Sequence, residues 1–426
     1  MCTGLYILWD ASTIWGLMAL RAAQAFALPC RLVKAQEIAQ GLLSGKPPHI
    51  LLVPGGSARL KCQALGQQGR EAIRQYVAQG GHYLGFCGGA GLGLRAAREE
   101  EGLGLCPWGR ATYGDHLQHL ISGHACTKLT TEAAQLPLIP ASFQQQSPAL
   151  PVWWPGRFAP QAGSEVAVLA RYSRPAADFW VADLPLASVP EHLFDVWRKV
   201  YGVDLSAEFL HDQPIIVHGS YGKGSYTLSY SHLETPASPQ ANAWLAHLLA
   251  KEGGLRPQAS IVPAWEPDNE PVLWASTAEH SALIAARHTL RGLLHTGIEH
   301  NLFFRRTPWL TGWRAGIPGA ALNSLYTGVC TVLKQQPSKA TLACWAQHRE
   351  EFQQLFPLFL DGAEGYLLAE RLATTLAPSM PDAVSKRGLK DQREALFGHA
   401  MLGGGIIGAL LAIIDELVYV QTQGTA

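Results

Sequence analysis

The chain has 426 residues, 48% of them hydrophobic and 15% charged, which excludes a disordered chain and leaves room for two or three domains around a large core. Thirty-three Lys and Arg balance 33 Asp and Glu with no dense basic run, so charge supplies no attraction for nucleic acid, and none is expected as a partner. Eight cysteines are scattered without a C-x-x-C pair, which excludes zinc-ribbon and thioredoxin spacing and argues against a disulfide framework.

In chain order, "MCTGLYILWDAS" lacks a basic leader region and Asp10 interrupts its apolar run early. It reads as a first strand over 4–10 and not as a signal peptide, so a cytoplasmic protein is expected. A helix follows over 12–26, with Ser12 as its cap. "CRLVKA" (30–35) is a second strand and "AQEIAQGLLSG" a short helix ending at Gly45. "HILLVPGG" (49–56) is a strand stopped by Pro-Gly-Gly, and 67–81 an amphipathic helix with Ile73, Tyr76 and Val77 on one side. Continuous apolar strands alternating with helices predict a doubly wound, mostly parallel α/β sheet, whose sites lie at the carboxyl ends of its strands.

The texture loosens over 106–213, an insert rich in Pro, Gly, Trp and Gln, with short β-like pieces such as 165–172. "QPIIVHGSYGKGSYTLSYSHLE" (213–234) reads as a hairpin leading into a buried strand, and 238–254 as a helix with Pro239 in its first turn. These elements define a first domain over 1–254. Four prolines mark 255–272 as a linker. The remainder, 273–426, is expected to be an all-α domain in which no chemistry is legible. Its segment Ala400–Ile414 carries no charge but falls short of the ~20 residues of a membrane span. It reads as a buried or partner-facing helix, with Gly404-x-x-x-Gly408 suited to close packing; a membrane role is the weaker alternative.

The stretch richest in chemistry is "GGHYLGFCGGAGLGL" (80–94). It is open to three readings: a cysteine nucleophile on a tight turn, a phosphate-binding glycine loop, or a well-packed strand–helix junction. Gly91-x-Gly93-x-x-Ala96 begins inside the expected helix, and no acidic residue ends a second strand at the right distance, so a dinucleotide site is disfavoured. "GSYGKGSY" lacks the spacing of a Walker loop. Gly85-Phe86-Cys87-Gly88-Gly89 fits the cysteine form of a nucleophile elbow, in which small residues flank a strained turn from strand into helix. The helix start beside the thiol would favour the thiolate.

A thiol nucleophile needs a base, and the base an orienting acid. His232-x-Glu234 ends the strand "SYTLSYSHLE", and residues i and i+2 of a strand share a face, so imidazole and carboxylate can lie side by side. "LLVPGG", "YLGFCGGA" and "SHLE" together resemble a class I glutamine amidotransferase-like domain. They are most similar to the N-terminal domain associated with biotin–protein ligases, over about residues 1–254. The resemblance implies a flavodoxin-like fold, Cys87 as nucleophile, His232 as base and Glu234 as orienter. It also implies an oxyanion hole from backbone N–H groups at Gly88 and in the Gly55–Gly56 loop. No G-R-G-R-x-x-x-x-W stretch follows in 255–426, and Arg305-Arg306 do not form such a loop, so no ligase activity is carried over.

Two expectations follow. One is Cys-dependent amidohydrolase or amidotransferase chemistry on a small-molecule carboxamide, without cofactor or metal, with a protein partner docking on the helical domain. The other is a binding or regulatory module that keeps the pocket without turnover. Asp115, His116, His119, His124 and Cys126 resemble a ligand cluster, but their spacing fits no established metal site. His288, His295 and His300 read as the boundary face of an amphipathic helix. Trp153, Trp154, Phe158 and Trp180 either wall the pocket or fill a core, and Tyr221, Lys223 and Tyr226 lie around the hairpin, where they could touch a ligand.

Overall fold

A computed structural model describes residues 4–96, 101–111, 120–144, 146–399 and 403–423. The chain divides into two compact units, Met1–Ala264 and Trp265–Ala426.

The first unit opens with β1 (Leu5–Leu8), α1 (Thr13–Ala25), β2 (Cys30–Val33), α2 (Ala35–Ala39), α3 (Leu42–Gly45), β3 (Ile50–Val53), α4 (Ala58–Ala78), β4 (His82–Phe86) and α5 (Gly88–Gly93). The insert supplies β5 (Gly109–Arg110), β6 (Ile121–Leu129), β7 (Ala149–Trp153), β8 (Phe158–Ala159), β9 (Ala167–Pro175), β10 (Trp180–Val181), β11 (Leu184–Pro185) and α6 (Glu191–Tyr201). The hairpin β12 (Pro214–Tyr221) and β13 (Gly224–Ser229) follows, then α7 (Pro239–Gly253).

Strands β2, β1, β3, β4 and β13 lie side by side in that order, all parallel. This is the flavodoxin-like order of a doubly wound sheet. Beyond β13 the sheet continues antiparallel through β12, β9 and β6, with β10 and β7 both pairing β6. Strands β1 and β3 read LYIL and ILLV and are buried along their whole length, as a sheet covered on both faces requires. One face packs Val53, Leu51, Tyr83 and Leu228 against Ile73 and Val77 of α4. The register sets Val53 opposite Gly85 and Phe86 opposite Ser229, so β3, β4 and β13 end at one level.

Several local expectations are corrected. Ser12 precedes α1 but its side chain makes no capping bond; its hydroxyl donates to Leu8 O at 2.8 Å and accepts from the Lys61 ammonium. The single helix expected over 35–45 is two, broken at Gly41, whose φ of +94° no ordinary helix accommodates. Helix α4 starts nine residues earlier than the apolar pattern suggested (58 against 67), capped by Ser57 at 3.2 Å, and is interrupted at Gly66.

The second unit is helical: α8 (Ser281–Glu299), α9 (Gly319–Leu333), α10 (Lys339–Leu376), α11 (Lys386–Phe397) and α12 (Gly405–Gln423). To this it adds one short hairpin, β14 (Phe303–Thr307) with β15 (Leu310–Trp313). Nearly all of α9 is buried, and α8, α10 and α12 surround it or one another. Helix α12 is long and apolar enough to cross a membrane by length and composition, yet Ile407, Leu410, Ile413, Ile414, Leu417 and Val418 are buried within the unit. The close approach expected of Gly404 and Gly408 lies elsewhere. A Cβ on Gly408 would meet nothing within 4 Å, whereas one on Gly328 of α9 would lie 2.7 Å from Ile414 Cγ2. His288 and His295 are exposed on α8 and His300 is half-buried, as a boundary face predicts.

Candidate active site

Strand β4 ends at Phe86, and the chain turns at Cys87 with φ 46° and ψ −103° before α5 begins at Gly88. For a residue with a Cβ this is strained backbone, which persists only where its surroundings hold it. Two hydrogen bonds do so: Cys87 N–H donates to Ser229 O at 2.7 Å, and Gly91 N–H donates to Cys87 O at 2.9 Å.

The flanking glycines are explained by crowding. A Cβ on Gly85 would lie 2.7 Å from Gly89 O, one on Gly89 1.9 Å from Val53 O, and one on Gly88 1.9 Å from Gly56 O. Gly56 itself has φ +100°, and a Cβ there would lie 2.2 Å from Ala11 O. The loop after β3 and the elbow after β4 are thus in backbone contact, which bare glycines alone allow. Gly88, as the first helical residue, has an amide without an intrahelical acceptor. Gly93 packs tightly on Leu228 and Tyr83, in line with a packing role, while Gly91 makes only ordinary contact with Ala58.

His232 and Glu234 do sit beside the elbow, but not on a strand. Strand β13 ends at Ser229, and both residues belong to the turn that follows, closed by Thr235 N–H to His232 O at 3.1 Å. The i, i+2 strand argument therefore gives way to turn geometry, with the same pairing as its result: His232 Nδ1 lies 2.8 Å from Glu234 Oε1. Both side chains are fully buried. Gly55 makes room for the ring, since a Cβ there would lie 2.6 Å from His232 Cε1.

Burial opposes the imidazolium, but the Glu234 carboxylate and the Cys87 side chain outweigh it and raise the His232 pKa to about 10. Nδ1 is committed to Glu234, while Nε2 has no well-aligned hydrogen-bond partner. The ring with its proton and the thiol are therefore neighbours without a linear hydrogen bond.

Several supporting residues carry no motif and escape sequence reasoning. Trp15 of α1 lies against the His232 ring, centroids 4.2 Å apart at 32°, and Trp154 meets Trp15 edge-on at 5.3 Å. Trp15 falls in the first turn after β1, the carboxyl end of the sheet, and that position is the only signal it offered. Pro151 O of β7 accepts from His232 N–H at 3.1 Å and from Ser231 Oγ at 2.8 Å. Asn242 Nδ2 donates to Leu233 O and Thr235 O, both at 2.9 Å. Buried Lys61 donates to Asp10 O at 2.9 Å and holds the β1–α1 loop on which Gly56 rests.

Of the aromatic cluster, Trp154 reaches the site through Trp15, and Trp153 Nε1 donates to Thr235 Oγ1 at 3.2 Å. Phe158 packs on Tyr230 at 4.4 Å, and Trp180 lies in β10 away from the elbow. Tyr226 is a core residue, and Tyr221 and Lys223 flank the turn that precedes β13. That turn lies at the opposite end of the sheet from Cys87, since Ser225 pairs with His82 at the start of β4. Asp115, His116 and His119 lie outside the described residues. His124 is engaged at both nitrogens, by Asp178 Oδ2 at 2.8 Å and Ser238 Oγ at 2.9 Å. Cys126 is half-buried with a free thiol.

No curated protein matches the sequence. Among solved structures the chain is similar to PurLQS from Thermotoga maritima (10% identity, TM-score 0.38, 59% of this chain and 97% of that one). It is also similar to a GMP synthase subunit from Thermoplasma acidophilum (11%, 0.36, 59% and 94%). A third likeness is to a β-galactosidase from Bacillus circulans sp. alkalophilus (11%, 0.35, 60% of this chain), of whose length this chain spans 31%. At such identities the α/β assignment rests on the strand order itself. Residues 35–102 match the family model of the biotin-protein ligase N-terminal domain. That stretch runs from α2 through the Gly55–Gly56 loop to the elbow; it contains Cys87 and stops short of His232 and Glu234.

Proposed function

We propose that the first unit is a cysteine-dependent amidohydrolase acting on a small-molecule carboxamide, without cofactor or metal. The observation that carries this reading is the strained Cys87 beside a fully buried His232–Glu234 pair. The Cys87 thiolate attacks the carboxamide carbon, and the oxyanion forms against the backbone N–H of Gly88 with the Gly55–Gly56 loop behind it. The His232 imidazolium, held in one orientation by Glu234, gives its proton to the departing ammonia. Water, deprotonated by the neutral ring, then attacks the thioester, releasing the acid and restoring the Cys87 thiolate and the His232 imidazolium. In an amidotransferase the ammonia passes to a synthetase partner, for which the helical unit is the proposed dock. A cytoplasmic setting suits a reactive thiol.

A second reading, a binding or regulatory module without turnover, is favoured by the complete enclosure of His232 and Glu234 behind Trp15 and Trp154. Labelling separates the two. A glutamine-like chloroketone, mapped by mass spectrometry, is expected to modify Cys87 ahead of the other thiols, and the His232→Ala variant to lose that preference. Equal labelling of all accessible thiols, or no change in His232→Ala, refutes the enzyme reading.

A further inference from the structure

The second unit contains a cavity of about 510 Å³, within the size range of small-molecule sites. Three elements build it. Helix α8 contributes Arg291 and His295, one turn apart on a shared face; the β14–β15 hairpin contributes Arg305, Arg306 and Trp309; and α9 contributes Asn323 and Tyr326. The segment 266–269 closes one side.

The polar groups of the floor are satisfied internally. Asn323 accepts from Thr311 N–H at 2.9 Å and donates to Thr311 O at 2.8 Å. The Tyr326 hydroxyl, kept protonated by burial, donates to Asp268, and Asn269 donates to Glu266. Both acidic residues of the lining are therefore already engaged by neutral donors. Trp309 is buried and stacks parallel to Trp265, centroids 6.5 Å apart. Among the described residues, the guanidinium groups of Arg291 and Arg305 have no hydrogen-bond or ion-pair partner. Two cations from separate elements thus open onto a preformed cavity, with the His295 ring beside Arg291 on the same helix face.

We propose that this cavity binds a small molecule bearing an oxyanion, phosphate or carboxylate, gripped by Arg291 and Arg305. Guanidinium suits this task because its planar fork matches both oxyanions and is always charged. The site lies wholly in the second unit and does not depend on amide chemistry at Cys87 of the first.

The test is calorimetric titration of the full chain at low salt with inorganic phosphate and, separately, with succinate. Saturable binding of at least one anion is expected, with a dissociation constant below ~10 mM. Arg291→Gln and Arg305→Gln should each weaken it about tenfold. Arg387→Gln, which removes a guanidinium 91% exposed on α11, should leave it unchanged. Phosphate alone points to a phosphorylated ligand and succinate alone to a dicarboxylate. Absence of saturable heat from both anions, or an equal loss in Arg387→Gln, overturns the proposal. Both target arginines are exposed, so the variants are expected to fold, and melting curves check this; Cys87→Ala should titrate like the parent chain.

Discussion

Cys87, His232 and Glu234 combine three different physical costs: strained backbone, a buried imidazolium and a buried carboxylate. The pairing offsets the last two, and it sets a pH dependence. With its folded pKa raised to about 10 against an ordinary ~6.5, His232 keeps its proton through the neutral range. The stabilisation from its pair with Glu234 is full below the unfolded value and is lost as pH rises through the folded one. In Glu234→Gln, burial is left unopposed by the carboxylate and the ring is expected to be neutral at pH 7. Iodoacetamide labelling of Cys87 should then fall about tenfold at pH 7. The gap to the parent chain should close toward pH 10, where the parent ring also loses its proton. A gap of constant size from pH 6 to 10 would sink this account.

At the level of elements, the loop 230–238 is the least regular part of the site and the most heavily tied down. Pro151 O holds its His232, Trp153 its Thr235, and His124 its Ser238, all from β6 and β7 of the insert. Asn242, in the first turns of α7, holds it from the other side and accepts from Val262 N–H at 3.1 Å. Asn242→Ala should therefore destabilise the first unit by about 1–3 kcal/mol, through carbonyls and an amide left unpaired in the interior. It should also slow Cys87 labelling, read by denaturation and by mass spectrometry on the same sample. A stability loss with labelling unchanged would mean that the loop keeps its shape without Asn242. The insert, which reads as irregular sequence, is an antiparallel extension of the main sheet, and its β7 edge backs the histidine loop. Its role escaped sequence reasoning because the contacts are made by backbone carbonyls and by single Trp, His and Pro residues without a period.

Over the molecule as a whole, the chain divides its apolar composition between two separate cores. That of the first unit lies on both faces of the doubly wound sheet; that of the second is built around α9, enclosed by its neighbouring helices. The tight α9–α12 contact in the second rests on Gly328, where the missing side chain admits Ile414. Gly328→Val is expected to force α9 and α12 apart and to cost roughly 1–3 kcal/mol, visible as a lowered melting midpoint. An unchanged midpoint would show that α12 contributes little to this core. This core also accounts for the apolar terminal segment, whose buried face meets α9 and α10.

Local sequence was enough for the alternation of strands and helices, the helical character of the second unit, and the choice of Cys87, His232 and Glu234 as candidates. Those features rest on short-range periodicity, on glycines that nothing larger could replace, and on residue types that chemistry restricts. Only the folded chain reveals that His232 and Glu234 meet in a turn, that Trp15 backs the ring, and that Lys61 steadies the loop under Gly56. The same holds for the arginines of α8 and β14, which line a common cavity. Each of these depends on which elements become neighbours in space, and neighbourhood across many residues leaves no mark on local sequence.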